Sequence, residues 1–309
     1  MKFMGNGVLV SGSNTISISE EVCRTSKIPM IEKIVRRFPD GEIYVRFSDV
    51  NFKEKNVYII HSMAPRQNDS LIELFLSVDV IREYSPRKIN LIAPYMAYAR
   101  QHKKYNIGEA LSLRTIIKIL KILGVSEITT IDAHFCRREG TFNFFGMKIQ
   151  NLTAAPLIFE YIKRESGIKD FVVVGVDAGS RDFLSKIRSK KVFLRKEKYC
   201  PICNKKAIKC ECKTRKKSYK IVIKGFEKVK NKNVMILDDI ISTGGTMSAC
   251  ALAVKKVARS VYIGCTHGLF LGRALDILKE NCDLIVSTNT IKSKASKVSI
   301  APLIKKVIR

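Results

Sequence analysis

The stretch NVMILDDIISTGGTMSAC, residues 233–250, decides the fold. Val234 to Leu237 form an apolar run of the kind that makes a buried strand of a parallel sheet. The run closes on two acids, Asp238 and Asp239. Ser242-Thr243-Gly244-Gly245-Thr246 then turns the chain into a helical pattern beginning near Met247. Open α/β sheets bind ligands where their strands end on the carboxyl side. Glycines let a backbone approach closely, and hydroxyls with the free N–H groups of a helix start suit a phosphate dianion. Two adjacent carboxylates just upstream can accept hydrogen bonds from a vicinal diol, such as ribose hydroxyls. A tight turn with a threonine cap and solvated acids is the plainer reading of a lone TGGT. The acid pair and the strand in register with it favour the sugar-phosphate site.

Outward from this stretch the same alternation recurs. NVYII (56–60), INLIAPY (89–95), EITTID (127–132), DFVVVGVD (170–177) and DLIVST (283–288) read as further buried parallel strands. Leu71, Leu74, Phe75, Val78 and Ile81 recur at helical spacing, with Asn68 or Asp69 as N-cap and Pro86 closing the segment. Leu111 to Leu123 and Met247 to Ala258 repeat the helical pattern. The fold class is therefore α/β, with mainly parallel sheets flanked by helices. ITTIDAH and VMILDDI echo each other as apolar strand, acid and polar loop. A boundary near 148–153, after the Phe-rich turn TFNFFG, predicts two similar domains, 1–150 and 151–309. There is no strict short-period repeat, which excludes a solenoid.

Composition narrows the function classes. With 46% apolar and 27% charged residues in 309, the chain is neither disordered nor fibrous. Its 56 Lys and Arg against 28 Asp and Glu leave +28, a charge that attracts nucleic acid, anionic membranes or small phosphorylated substrates. The charge is concentrated: residues 186–232 hold nineteen Lys and Arg against three acids, a balance of +16. No run approaches the roughly 18 apolar residues of a membrane helix, and the N-terminus lacks the apolar core of a signal peptide, so no membrane association is expected. Five of the nine cysteines are isolated and four fall within 200–212. Scattered single cysteines suit a reducing interior, so the expected location is cytoplasmic.

Several motifs together carry a resemblance to a known family. DDIISTGGT resembles the phosphoribosyl-binding loop of type I phosphoribosyltransferases. RRFPDGEIYVRF (36–47), PYMAYARQHK (94–103), IDAHF (131–135), GVDAGSRDF (175–183), THGLFLGRALDIL (266–278) and STNTI (287–291) are similar, in order, to motifs of the ribose-phosphate pyrophosphokinases. The resemblance covers nearly the whole chain. It implies two phosphoribosyltransferase-like domains, and a magnesium-dependent transfer of the pyrophosphoryl group of ATP to the C1 hydroxyl of ribose 5-phosphate, releasing AMP.

By the same resemblance, Asp238, Asp239, Ser242, Thr243, Gly244, Gly245 and Thr246 hold ribose 5-phosphate. Asp177 faces the ribose or its Mg²⁺, and His134 is associated with the same metal. Arg100 and Gln101 contact ATP; His102 stands where an Asp is most common, and Val176 where many members have Pro. Phe38, Asp40 and Glu42 resemble residues that reach the ATP of a neighbouring subunit, which implies a homo-oligomer, at least a dimer. A loop aligned with VFLRKEKYC (192–200) supplies the catalytic Lys196, with Lys198 at the position of a family Arg. Arg195 fills that position after a small register shift. Read without the family, FPDGE is a β-turn, and a strand-end Asp or a lone His is more often structural. His61 is read as structural, and His267 receives no catalytic role.

The Lys/Cys-rich insertion, about 195–220, contains Cys200, Cys203, Cys210 and Cys212 in the pattern C-x₂-C-x₆-C-x-C. Four thiolates is the number a structural Zn²⁺ takes. An iron–sulfur cluster and unliganded thiols are the alternatives. With KTRKK (213–217) beside it, the insertion also resembles a zinc module on a basic patch, and this supports an alternative function as a regulatory or nucleic-acid-binding protein on the same fold. Few aromatic residues interleave its charges, which argues against that alternative. An ordinary phosphoribosyltransferase would share TGGT but not FPDGE or YARQ. His102, Val176 and Lys198 keep open a catalytically weak homologue.

Overall fold

The computed structural model describes residues 6–136, 138–200, 202, 203, 205, 212 and 220–308. Cys210, Asn204 and the KTRKK run lie outside the described residues. The chain forms two units, residues 1–154 with 288–309, and residues 155–287. The first crossing, between residues 154 and 155, lies just beyond the expected 148–153 region. The second was not expected: the last 22 residues belong to the first unit, not to the second. No helix among the described residues is long and apolar enough to cross a membrane.

The first unit is built on seven strands: β1 (Gly7–Ser11), β2 (Met30–Ile31), β5 (Asn56–Ile60), β6 (Lys88–Ala93), β7 (Val125–Ile131), β8 (Gly140–Phe144) and β9 (Met147–Leu152). Their order is β2-β1-β5-β6-β7-β9-β8, and every pairing is parallel except β8 with β9. The run TFNFFG is thus mostly strand, turned by Phe145 and Gly146, whose positive φ of 52° and 77° suit a two-residue hairpin. Around the sheet stand α1 (Ile16–Ser26), α2 (Gln67–Glu83), α3 (Ser112–Ile122) and α7 (Ala301–Lys305). Leu71, Leu74, Val78 and Ile81 of α2 are buried, as their spacing demands. Neither expected cap is used. Arg66, in a left-handed conformation, opens the helix with no side-chain cap. Asn68 instead accepts from the Tyr98 hydroxyl, and Asp69 pairs with Arg37 at 2.7 Å.

A separate antiparallel hairpin, β3 (Lys33–Arg37) with β4 (Ile43–Phe47), lies beside α2. A buried ion pair anchors it. Lys33 Nζ donates to Glu73 Oε1 at 2.7 Å, with the two side chains only 3% and 6% exposed. The Ser13 N–H donates to the same oxygen at 2.9 Å, and Lys33 also donates to Ser77 Oγ at 3.2 Å. His61 Nδ1 stands 3.9 Å from that carboxylate. Burial first, and the Lys33 charge second, push the His61 pKa down to about 4. Burial pulls Glu73 upward, but Lys33 and His61 together hold it below the ordinary carboxylate value. The C-terminal segment is tied into this unit by Ser62 Oγ donating to the Thr290 carbonyl, by Ser299 Oγ donating to Glu21 at 2.7 Å, and by packing of α7 on α1.

The second unit holds β10 (Val172–Gly175), β11 (Lys190–Phe193), β14 (Asn233–Ile241), β15 (Ser260–Gly268) and β16 (Leu284–Thr288). These run parallel in the order β11-β10-β14-β15-β16. Helices α4 (Ala155–Ser166), α5 (Gly245–Lys255) and α6 (Ala274–Lys279) complete the unit, and β12 (Arg195–Tyr199) pairs with β13 (Lys220–Lys224) as a separate antiparallel hairpin. Val172, Val174, Val234, Ile236, Val261 and Ile263 pack with Met247, Cys250, Ala251 and Val254 of α5. Each large apolar side chain so buried contributes about 1.5–3 kcal/mol. The strand that bears the acid pair is therefore central and rigid.

Candidate active site

On β14 the backbone N–H of Asp239 donates to Asp238 Oδ1 at 3.1 Å, holding the first carboxylate against its neighbour. Asp177 follows β10 and caps the short 3₁₀ turn Ala178–Arg181, accepting from the Gly179 N–H at 2.7 Å. Burial, then the charge of Asp239 and that of Asp177, push the Asp238 carboxyl well above its ordinary pKa. Asp238, Asp239 and Asp177 offer oxygen donors, the kind Mg²⁺ takes.

From β14 the chain turns into α5. Gly244 occupies the N-cap position at φ 75°, a left-handed conformation that favours glycine. A Cβ there would also stand 3.2 Å from that of Ala274. The loop is pinned from behind by the Leu271 N–H, which donates to the Ser242 carbonyl at 2.9 Å. The first N–H groups of a helix have no partner within it, so the start of α5 offers donors to an anion. Ser242, Thr243, Gly244, Gly245 and Thr246 are thus brought together beside the acid pair, on one strand-to-helix turn.

Lys196 and Lys198 occupy alternate positions of β12, opposite Ile223 and Ile221 of β13, and Arg195 is opposite Lys224. Glu197, between the two lysines, pairs with Lys224 at 3.0 Å and accepts from the Tyr199 hydroxyl at 2.6 Å. The three described cysteines of the insertion, Cys200, Cys203 and Cys212, have their sulfurs within 4.8 Å of one another.

In the first unit Arg100, Gln101 and His102 follow β6. Arg100 is exposed, whereas Gln101 Oε1 accepts from the Ser112 hydroxyl at 2.7 Å at the start of α3. The rings of His102 and His134 meet edge to face with centroids 6.3 Å apart, so the loops after β6 and β7 converge. Phe38, Asp40 and Glu42 form the tip of the β3–β4 hairpin. The Phe38 N–H donates to the Glu42 carbonyl at 2.8 Å, and the Glu42 N–H donates to Asp40 Oδ1 at 3.1 Å. Phe38 is 50% exposed and stacks edge-on against Tyr44, beside a cavity of about 440 Å³ that Arg36, Arg37 and Arg46 also line.

A family model described as the N-terminal domain of ribose phosphate pyrophosphokinase matches residues 7–124. A phosphoribosyl transferase domain model matches 151–298. The ribose-phosphate pyrophosphokinase 1 of Archaeoglobus fulgidus is 32% identical over 299 residues, covering 96% of this chain and 98% of the relative. The chain belongs to the ribose-phosphate pyrophosphokinase family. The Aquifex aeolicus member is 29% identical, with 98% of this chain and 96% of that one covered. The crystal structure of phosphoribosylpyrophosphate synthetase from Mycobacterium smegmatis superposes with a TM-score of 0.77 at 26% identity, over 97% of each chain. The fold is therefore that of the family, two phosphoribosyltransferase-type domains with mainly parallel sheets.

Two features of this family member escaped the sequence. The buried Lys33–Glu73 pair with His61 was missed because KIVRR alternates like any half-exposed strand, and nothing local marks one of its cations as buried. The approach of His102 to His134 joins loops about thirty residues apart. Only two histidines at the ends of adjacent strands, β6 and β7, hinted at it.

Proposed function

We propose that the chain transfers the β,γ-pyrophosphoryl group of ATP to the C1 hydroxyl of ribose 5-phosphate, giving 5-phosphoribosyl 1-pyrophosphate and AMP. The observation that carries this reading is the acid pair of β14 running into the glycine turn and the start of α5, in a chain of this family. Asp238 and Asp239 accept from the ribose hydroxyls. Ser242, Thr243, Gly244, Gly245 and Thr246 surround the 5-phosphate with N–H and hydroxyl donors. Arg100 and Gln101 bind ATP, Arg100 through its forked donors on the phosphate oxygens.

In the reaction the C1 oxygen attacks the β-phosphorus and the bond to the α-phosphate oxygen breaks. The electron pair stays on AMP and the hydroxyl proton passes to solvent. Lys196 and Lys198, with Arg195 beside them, neutralise the phosphate oxygens as charge shifts. By the family resemblance, His134 of the first unit and Asp177 of the second are the residues associated with Mg²⁺, which when bound would offset triphosphate charge. Phe38, Asp40 and Glu42 extend towards the ATP of a second copy, so the active form is a homo-oligomer. The cysteine cluster holds a structural Zn²⁺, argued below. Incubation with ATP, ribose 5-phosphate and Mg²⁺ should release AMP. Lys196→Ala should lower that rate by about 10²–10³. An equal rate in the variant, or no AMP from the parent protein, overturns the reading.

A further inference from the structure

The hairpin of β12 and β13 brings its two strands together across residues 200–219, a connection of twenty residues. Long connections carry a closure cost that grows with length. This one is also crowded with like charge, since residues 200–219 hold seven Lys and Arg against one acid. Some interaction must offset both penalties for the hairpin to hold its register.

The cysteines stand where that interaction is needed. Cys200 directly follows β12 and is fully buried. Its N–H donates to the Lys205 carbonyl at 2.8 Å, which brings Lys205 back beside the end of β12. Cys212, nine residues beyond Cys203 in the sequence, returns so that all three sulfurs lie within 4.8 Å. Ligands on one tetrahedral zinc, with Zn–S near 2.3 Å, have sulfurs about 3.8 Å apart. The cluster is thus within roughly 1 Å of closing on an ion.

We propose that Cys200, Cys203 and Cys212 bind one Zn²⁺ that clasps the base of this hairpin and so positions the strand carrying Lys196 and Lys198. Cys210 lies outside the described residues. Zinc with three thiolates carries −1 and with four −2, so the clasp also places negative charge inside the basic segment. The metal takes no part in the transfer. Its role is positional, and it deepens the pyrophosphokinase reading without depending on it for detection.

The test uses the full chain purified without chelator. Elemental analysis should find one zinc per chain, and exchange with Co²⁺ should give the intense thiolate-to-cobalt absorption of a tetrahedral site. Cys203→Ser and Cys212→Ser should each lose the metal. In those variants kcat should fall about tenfold or more, by loss of positioned cations, with KM for ribose 5-phosphate within about twofold. Cys265→Ser, a buried cysteine outside the cluster, should leave metal content unchanged and serves as the control. Absence of zinc together with no cobalt absorption overturns the clasp, as does a disulfide among the three cysteines. Loss of metal from the variants with kcat unchanged overturns its positioning role. Zinc bound by a protein that makes no AMP sinks the pyrophosphokinase reading and leaves the metal site standing. AMP formed by a protein that binds no zinc does the reverse.

Discussion

Two strand ends carry the same phrase, an apolar run closing on aspartate, and the fold treats them in opposite ways. At the end of β7, Asp132 is buried and accepts from the Ala154 N–H at 2.8 Å, with its own backbone at φ 44°. That acid holds the chain where it leaves the first sheet. On β14, burial first, and then the charges of Asp239 and Asp177, weaken the acidity of Asp238. Both acids accept a backbone N–H, Asp132 from Ala154 and Asp238 from Asp239, so the difference lies in the charges around them. A binding aspartate is held among like charges, at a cost to stability that a ligand or cation can relieve.

Replacing each acid should separate the two roles most sharply. Asp238→Asn should lower AMP formation by about 10²–10³ and raise the melting temperature in magnesium-free buffer, because it removes like-charge repulsion. Asp132→Ala should do the opposite, costing about 1–3 kcal/mol by leaving a buried N–H unpaired while activity per folded molecule falls far less. If both variants lose stability and activity alike, the contrast fails.

A second contrast lies in pH. His61 has its folded pKa near 4, below its ordinary 6.5. Its contribution is complete above pH 6.5 and is lost as pH falls towards 4, on the order of 3 kcal/mol in total. NMR of the His61 ring should show it neutral at pH 5; a ring protonated near pH 6.5 contradicts the buried cluster. Asp238 has the reverse sign. Its folded pKa is raised, so its contribution declines as pH climbs above the ordinary carboxylate range.

The smallest expected effect compares neighbouring glycines. Gly244→Ala meets a left-handed backbone and the Ala274 methyl, and should cost about 1–2 kcal/mol. At Gly245 a Cβ meets nothing within 4 Å, so Gly245→Ala should change stability by less than about 0.5 kcal/mol. Its added methyl should instead raise KM for ribose 5-phosphate. Thermal melts and substrate titrations of the pair check both statements.

Six strands, β5, β6, β7, β10, β14 and β16, were legible because fully buried parallel strands are continuous apolar runs, and the NVYII reading matches β5 residue for residue; β1 and β15 are as deeply buried but were not read. The strand-to-helix turn after Asp239 was legible because its requirements are local: a glycine at positive φ, hydroxyls, and acids in phase. Asp132 and Asp238 were not distinguishable by that route. The donor to Asp132 is the N–H of Ala154, 22 residues along the chain, and Asp177, whose charge acts on Asp238, is distant in sequence as well. The cap of α2 was misread for a similar reason. Asn68 and Asp69 are good capping types, but Tyr98 and Arg37, distant in sequence, claim their side chains.

The return of residues 288–309 to the first unit bears on how the molecule is made. The second unit is an insertion whose strands and helices are all complete by about residue 287, whereas the first lacks α7 and its ties to Ser62 and Glu21 until the final segment is synthesised. Residues 6–154 therefore reach their complete unit only after the second unit's residues have been synthesised. Shortening the chain at its C-terminal end should weaken the unit at its N-terminal end.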